Sequence, residues 1–153
     1  NRKTGSGFAG VGPAAVVAEF GSVWVANAGE GNVKRFGRLT FEEDPIDEFT
    51  IGESPGALAA GEGAIWVASA DGDSVTRIDP GLASTSKLPI GVGDGPRALA
   101  VGGGAVWVAN TSAGTLSRID PATNDVVETI EIGNAPSGVA VADELVWVSV
   151  QAP

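Results

Sequence analysis

Arg97 is the residue whose type and position point most directly to ligand binding. It follows a proline that begins a repeated unit, whereas the equivalent residues of the other units are small: Ala14, Gly56 and Ser137. A single guanidinium at this position of an acidic chain could capture an anionic group of a ligand, because its planar fork matches carboxylates and phosphates. A salt bridge to the nearby Asp94 is nevertheless the favoured interpretation, although an exposed pair of that kind contributes little to stability; capture of a ligand's anionic group is the alternative.

Three polar residues in or beside loops are further candidates. Asn27, Asp71 and Asn110 each follow an apolar strand, and binding residues are often carried on loops that a rigid scaffold holds. The segment 71–74, Asp-Gly-Asp-Ser, also resembles half of a calcium loop, but a complete loop needs more oxygen ligands and a distant bidentate glutamate. A structural turn is favoured there, and no metal site is predicted. The predicted ligand-binding residues are therefore Arg97, Asp94, Asn27, Asp71 and Asn110.

The sequence offers no obvious catalytic set. It contains no histidine, cysteine or methionine, so no disulfide or thiolate metal site can form. Carboxylates from several units could still serve as acid and base, but no two of them occupy matched positions beside an orienting partner. No catalytic residue and no cofactor are predicted.

Charge and hydropathy exclude several classes of partner. The 153-residue chain has a formal net charge of −10 and a pI of about 4.2, which argues against binding nucleic acid through its phosphates and against adhesion to an anionic membrane. No apolar run approaches the roughly 18–20 residues that a membrane-spanning helix needs, so no membrane insertion is expected. The acidic segment 42–48 is interpreted as a solvated edge, with a docking patch for a basic partner as the alternative.

Four tryptophans indicate which elements must position these residues. Trp24, Trp66, Trp107 and Trp147 recur at spacings of 42, 41 and 40 residues, each within an apolar strand. A period of this size indicates a stacked or radial array of units. Nearly every position of the strand is apolar, which indicates burial on both of its faces. Packing between neighbouring units is therefore the predicted role of all four side chains.

The repeated unit is predicted to be one blade of an all-β propeller. Each full unit begins at a proline and shows the pattern of four short antiparallel strands. The predicted fold is three full blades, of about 41 residues each, followed by a partial fourth. The boundaries are 1–12 for an N-terminal segment that could supply an outer strand of a closing blade, 13–54, 55–95 and 96–135 for blades one to three, and 136–153 for the partial blade four.

Unit three carries the fullest version of the pattern. After Pro96 it has Val-Trp-Val-Ala-Asn at 106–110 and Gly-Thr-Leu-Ser-Arg-Ile-Asp-Pro-Ala-Thr at 114–123. This pattern resembles the bacterial propeller repeats of the virginiamycin B lyase-like and YVTN groups. Unit one departs from it after Val33, with Lys-Arg-Phe-Gly at 34–37. The resemblance implies the fold; lyases of this family rely on a catalytic histidine and a magnesium ion, and this chain has no histidine to match.

The favoured interpretation is a non-catalytic module, part of a larger bacterial propeller protein, that binds a protein, peptide or glycan. A structural scaffold, or the sensor domain of an extracytoplasmic receptor, is the first alternative. A virginiamycin B lyase-like enzyme is the second and is disfavoured by the absence of histidine. The chain is predicted not to be an enzyme, with the parent protein left open, and its location is predicted to be extracytoplasmic or secreted.

Ring closure raises a separate expectation about partners. Propellers have typically four to eight blades, and three full units with two further strands leave the end blades exposed. Exposed apolar faces and open strand edges favour association. Either further blades from a longer protein or a second copy of the chain, joined through the end blades, would complete the ring.

Overall fold

Fifteen β-strands form the described part of the computed structural model, which covers residues 9–37, 45–85 and 88–151. No helix occurs in these ranges, and accordingly no helix there could cross a membrane. The strands are β1 (Pro13–Glu19), β2 (Ser22–Asn27), β3 (Asn32–Gly37), β4 (Asp47–Thr50), β5 (Pro55–Gly61), β6 (Ala64–Ser69), β7 (Ser74–Asp79), β8 (Ser84–Thr85), β9 (Ile90–Gly91), β10 (Pro96–Gly102), β11 (Ala105–Asn110), β12 (Thr115–Asp120), β13 (Asp125–Glu131), β14 (Pro136–Ala142) and β15 (Leu145–Val150).

The strands form four antiparallel sheets, each of which is one blade. Blade one has the order β1-β2-β3-β4, and blade three has the order β10-β11-β12-β13. Blade two has the order β5-β6-β7-β8, with β9 also paired to β7, and blade four contains only β14 and β15. The prediction of an all-β propeller with three full blades and a partial fourth is confirmed.

Successive blades pack together through the face of each second strand that carries the tryptophan, called the tryptophan face below. In blade one, Trp24 and Ala26 form one cluster with Ile65, Val67 and Ile78 of blade two. The second cluster repeats this arrangement one blade later: Ala64, Trp66 and Ala68 pack with Val106, Val108 and Ile119. Each second strand therefore turns its tryptophan toward the following blade and its branched aliphatic residues toward the preceding one. This double burial explains why the strand is apolar at nearly every position.

The first strands of the blades lie side by side along the inner edge. Strand β5 contacts both β1 and β10, and β10 contacts β14. Backbones approach closely here: a Cβ added to Gly102 would lie 2.8 Å from Cγ1 of Val141 in the next blade. Successive blades therefore fan around one edge, as in a propeller.

The two end faces carry exposed apolar side chains. Trp24 and Trp66 are fully buried, but Trp107 is only partly buried and Trp147 is 62% exposed. At the other end, Val16 on β1 is 67% exposed. The predicted packing role therefore applies to Trp24 and Trp66, whereas no described blade covers Trp147.

Two local segments differ from simple four-stranded units. In blade two, β8 and β9 both pair with β7. Pro89 directly precedes β9, and a proline has no amide hydrogen to donate to the ladder. Within the N-terminal segment, residues 9–12 form no strand, and the carbonyls of Val11 and Gly12 accept hydrogen bonds from Gly29 and Ala28. Residues 1–8 and the first three residues of the acidic segment, 42–44, lie outside the described ranges.

Candidate functional site

Strand direction gathers two sets of connections on one side of the molecule, called the loop face below. Second strands run toward this face and third strands run away from it, so the loops 28–31, 70–73 and 111–114 lie there. Fourth strands return to the same face, and the junctions that lead into β5 and β10 lie beside those loops. The loop face therefore carries every segment that contains a predicted ligand-binding residue.

Hydrogen bonds fix the loops to the blade junctions. Ser54 Oγ donates to the carboxylate of Asp71. The Gly95 amide donates to Asp73 Oδ1 at 2.8 Å, and Thr111 Oγ1 donates to the carbonyl oxygen of Pro136 at 2.6 Å. Two of these bonds join a loop to the junction of the following blade. The loop face is thus a surface with a defined shape.

Arg97 begins the inner strand of blade three as a bulge residue. The pairing register of β10 with β11 shifts between Pro96 and Ala98, which leaves Arg97 out of the ladder. A bulge redirects the side chain it carries, and Arg97 is exposed. Ala14, Gly56 and Ser137 lie at the same shift in their blades. Arg97 is therefore a cation on an edge where the equivalent residues are small.

The two predicted carboxylates are also exposed, but they have different partners. Asp71 accepts the hydrogen bond of Ser54. Asp94 accepts a backbone bond from Ala113 through its carbonyl, and no ion pair joins its carboxylate to Arg97 within the described ranges. The expected salt bridge between Asp94 and Arg97 is thus not formed here, which leaves both charges directed to solvent.

Asn27 and Asn110 are fully buried, beneath the loop face. Asn110 Nδ2 donates to Thr115 Oγ1 at 3.0 Å and to Ser117 Oγ at 2.8 Å, while Asn27 Nδ2 donates to Asn32 Oδ1 at 2.9 Å. Each asparagine is the last residue of a second strand, and its amide crosses to the third strand. Arg97, Asp94 and Asp71 are therefore accessible to a ligand, whereas the two asparagines are internal links.

Ser69 of blade two lies at the position of these asparagines and was missed from the sequence. It ends β6 three residues after Trp66, the spacing that Asn27 has from Trp24. Its hydroxyl and that of Thr76 are buried and have no hydrogen-bond partner. A pocket of about 400 Å³ opens beside Ser69 and is lined by Ile51, Gly52, Glu53, Ser69, Gly72, Ser74, Pro89 and Gly91. Comparison of the position three residues after each tryptophan could have found it.

Arginines that stack on the tryptophans were also missed. The guanidinium carbons of Arg35, Arg77 and Arg118 lie 5.0, 5.5 and 5.6 Å from the ring centres of the tryptophans opposite them in the sheet. Each arginine follows its tryptophan by eleven residues. This constant spacing is hard to notice because the residues around the arginine in unit one differ from those in units two and three. Contact of a cation with an indole face is favourable.

Glu30 lies in the loop between β2 and β3 and forms an ion pair with Lys34. No group of three or more metal-binding side chains occurs in the described ranges. A hydrogen bond from Lys34, 2.7 Å from the carboxylate, lowers the pKa of Glu30, and the amide of Asn32 lowers it further. Glu30 is thereby stabilised as an anion, which suits a structural ion pair.

Comparison with known proteins identifies the fold. No family model and no curated protein matches the chain. Among solved structures, hydrazine synthase of Kuenenia stuttgartiensis has a TM-score of 0.79 and 20% identity, over 94% of this chain and 43% of that one. Catalytically inactive virginiamycin B lyase from Staphylococcus aureus with quinupristin gives 0.76 and 18%, over 91% and 49%. The computationally designed Ika4 protein gives 0.78 and 17%, over 92% and 86%.

These similarities correct one prediction. The prediction that the chain is not an enzyme, made from the absence of a catalytic set, is contradicted, because the matched propellers include a lyase and a synthase. At no more than 20% identity the likeness shows the fold and assigns no reaction to this chain. The chain spans less than half the length of those two enzymes' matched chains. It has the virginiamycin B lyase-like β-propeller fold.

Proposed function

We propose that this chain is a β-propeller interaction module that binds a protein, peptide or glycan on its loop face. The observation that carries the proposal is the state of Arg97: it projects from a bulge, is exposed, and forms no ion pair with Asp94. A cation that forms no ion pair with the other described residues remains available to an anionic group of a ligand.

The rigidity of the surrounding surface supports this proposal. Hydrogen bonds hold Asp71 and Asp73 to blade junctions, so a ligand would find the loops already arranged. A preorganised surface binds with a smaller entropic cost than a mobile one. Exposed carboxylates of Asp71 and Asp94 on the same face would select for a ligand whose donors complement them.

A ligand screen followed by matched variants tests the proposal. The purified chain is applied to a glycan array and to a displayed peptide library, and the affinity of any bound ligand is measured by calorimetry. Arg97→Ala is expected to weaken that affinity about tenfold, the effect of losing one charge-assisted hydrogen bond. Asp71→Asn tests whether the neighbouring loop contributes to the affinity.

Asp125→Asn is the control, because Asp125 is exposed at the opposite end of β13, away from the loop face. It should leave affinity unchanged. Equal affinities for the Arg97 and Asp71 variants and for the unmodified chain would place the ligand on another surface and overturn the proposal.

A further inference from the structure

Blade two lacks a polar group that blades one and three both possess. In those blades an asparagine amide extends from the end of the second strand and donates to side chains of the third strand. In blade two the equivalent residue is Ser69, and the facing hydroxyls are those of Ser74 and Thr76. Serine is too short to reproduce the amide, so its own hydroxyl and that of Thr76 stay unpaired, whereas in blades one and three the unpaired atom at this position is the amide oxygen of Asn27 or Asn110.

The glycines above these positions show that the vacated space stays empty. A Cβ added at Gly10 would collide with the amide of Asn27, and one at Gly93 would lie 2.8 Å from Nδ2 of Asn110. Each of these glycines lies three residues before a blade-opening proline, as does Gly52. A Cβ at Gly52 would meet nothing within 4 Å. The space that an amide fills in two blades is therefore open in the blade between them.

Gly52, Ser69 and Ser74 all line the surface pocket, so the open space belongs to it, and Thr76 follows two residues after Ser74 on β7. Ser69 is 3% exposed and Thr76 is 4% exposed, whereas Glu53 and Gly72 at the rim are exposed. Buried hydroxyls without partners are unfavourable, because they lose water without gaining a hydrogen bond. The pocket volume of about 400 Å³ exceeds that of an amide group, which leaves room for the chain that carries one.

We propose that this pocket is a subsite for a carboxamide, such as an asparagine or glutamine side chain of a peptide ligand. The inference rests on the proposed function, since it names the chemistry that one part of the loop face recognises. The ligand's amide would donate to Ser74 and Thr76 as Asn110 Nδ2 donates to Thr115 and Ser117. The exposed carboxylate of Glu53 at the rim opposes an anionic group. Burial among hydroxyls opposes an ammonium, which would lose its hydration.

Acetamide is the probe that tests the subsite, with acetate and methylammonium as comparison fragments. Each is titrated into the isotopically labelled chain, and backbone amide signals are followed by NMR. Acetamide is expected to shift the signals of Ser69, Gly72 and Ser74 in a saturable manner, and acetate is expected to leave them unchanged. Equal or stronger saturation by methylammonium would overturn the carboxamide assignment, as would the absence of any response to acetamide.

Two pocket variants and one control variant distinguish binding in the pocket from nonspecific binding. Ser69→Asn should fill the pocket with the protein's own amide and abolish the acetamide response, whereas Ser137→Asn, the same change at an exposed site in blade four, should preserve it. Thr76→Val removes one acceptor with little change in shape and should weaken acetamide binding about three- to tenfold. An unchanged response in both pocket variants would show that acetamide binds elsewhere.

The result is separable from the broader proposal. Acetamide binding requires no knowledge of the natural ligand, so the subsite can be present even if no peptide or glycan binds the loop face. Conversely, a peptide ligand that binds the Ser69→Asn variant and the unmodified chain equally well would refute the subsite and leave the interaction module intact.

Discussion

The Nη1 atom of Arg77 lies 2.8 Å from the carbonyl oxygen of Pro121, so a side chain of blade two donates a hydrogen bond to a turn of blade three. The same guanidinium stacks on Trp66 and donates to Asn124 at 3.2 Å. Arg35 repeats the relationship one blade earlier, with a 3.3 Å bond to the carbonyl of Pro80. These two arginines thus join the outer parts of consecutive blades, while the tryptophans join their centres.

Arg77→Lys should destabilise the chain although the charge is retained. Nη1 of Arg77 donates to both Pro121 and Asn124 while the guanidinium plane stacks on Trp66. Lysine has no planar group that could stack on the indole and donate from that stacked position. The free energy of unfolding is expected to fall by about 1–3 kcal/mol, measured by urea denaturation. Arg97→Lys is the control, since Arg97 is exposed and forms no ion pair in the part of the chain that the structure describes. It should change that free energy by less than about 0.5 kcal/mol. Equal effects of the two substitutions would show that the interblade bond contributes nothing.

Trp66 and Trp147 have the same position in their blades but should contribute differently to the free energy of unfolding. Trp66 is fully buried between blades two and three, whereas Trp147 is 62% exposed. Trp66→Ala is expected to lower the free energy of unfolding by about 3–5 kcal/mol, and Trp147→Ala by less than about 1 kcal/mol when the chain is dilute. Chemical denaturation at low protein concentration compares them. A larger loss for the Trp147 variant under those conditions would contradict the exposure of its face.

The sequence predicts the blades because each blade packs on the next in the same way, and this packing requires a tryptophan at the same position of every unit. It does not reveal what differs between units. Asn27 and Asn110 look like loop residues, yet each ends a strand and is buried, since the strands extend one residue farther than their apolar pattern. The pocket beside Ser69 arises from a group that is missing, and an absent amide leaves no motif. The exposure of Arg97 required the bulge of β10, which depends on pairing between strands.

Glu30 should make stability depend on pH in the acidic range. The hydrogen bond from Lys34 lowers the pKa of Glu30 below the ordinary value of 4.5. Because the folded pKa is lowered, the ion pair stabilises the fold above the ordinary pKa, and that contribution disappears as the pH falls through the folded pKa. Glu30→Gln should therefore lower Tm at pH 7, and its difference from the unmodified chain should shrink progressively on acidification below 4.5.

Glu131→Gln provides the comparison for this pH dependence. Glu131 is exposed on β13 and forms no ion pair within the described ranges. Calorimetric melting curves at several pH values would record both variants. A Tm difference for Glu30→Gln that stays constant across the acidic range would show that the carboxylate does not act through its charge.

Two copies of the chain are expected to associate through their end blades, because the two exposed faces are of complementary types. Inside the chain, each tryptophan face meets the branched aliphatic face of the next blade. Blade four leaves a tryptophan face exposed, with Trp147 and Leu145 on it. Blade one exposes Val16 on its aliphatic face, although Val25 of the same face is buried. Blade four of one copy can therefore pack on blade one of another as consecutive blades do, and a second contact of the same kind would close a ring.

Light scattering should give a mass about twice the 15.2 kDa of the chain. Trp147→Ser should shift this mass to that of the monomer, whereas Ser137→Asn should not. A monodisperse monomer of the unmodified chain at micromolar concentration would refute the pairing.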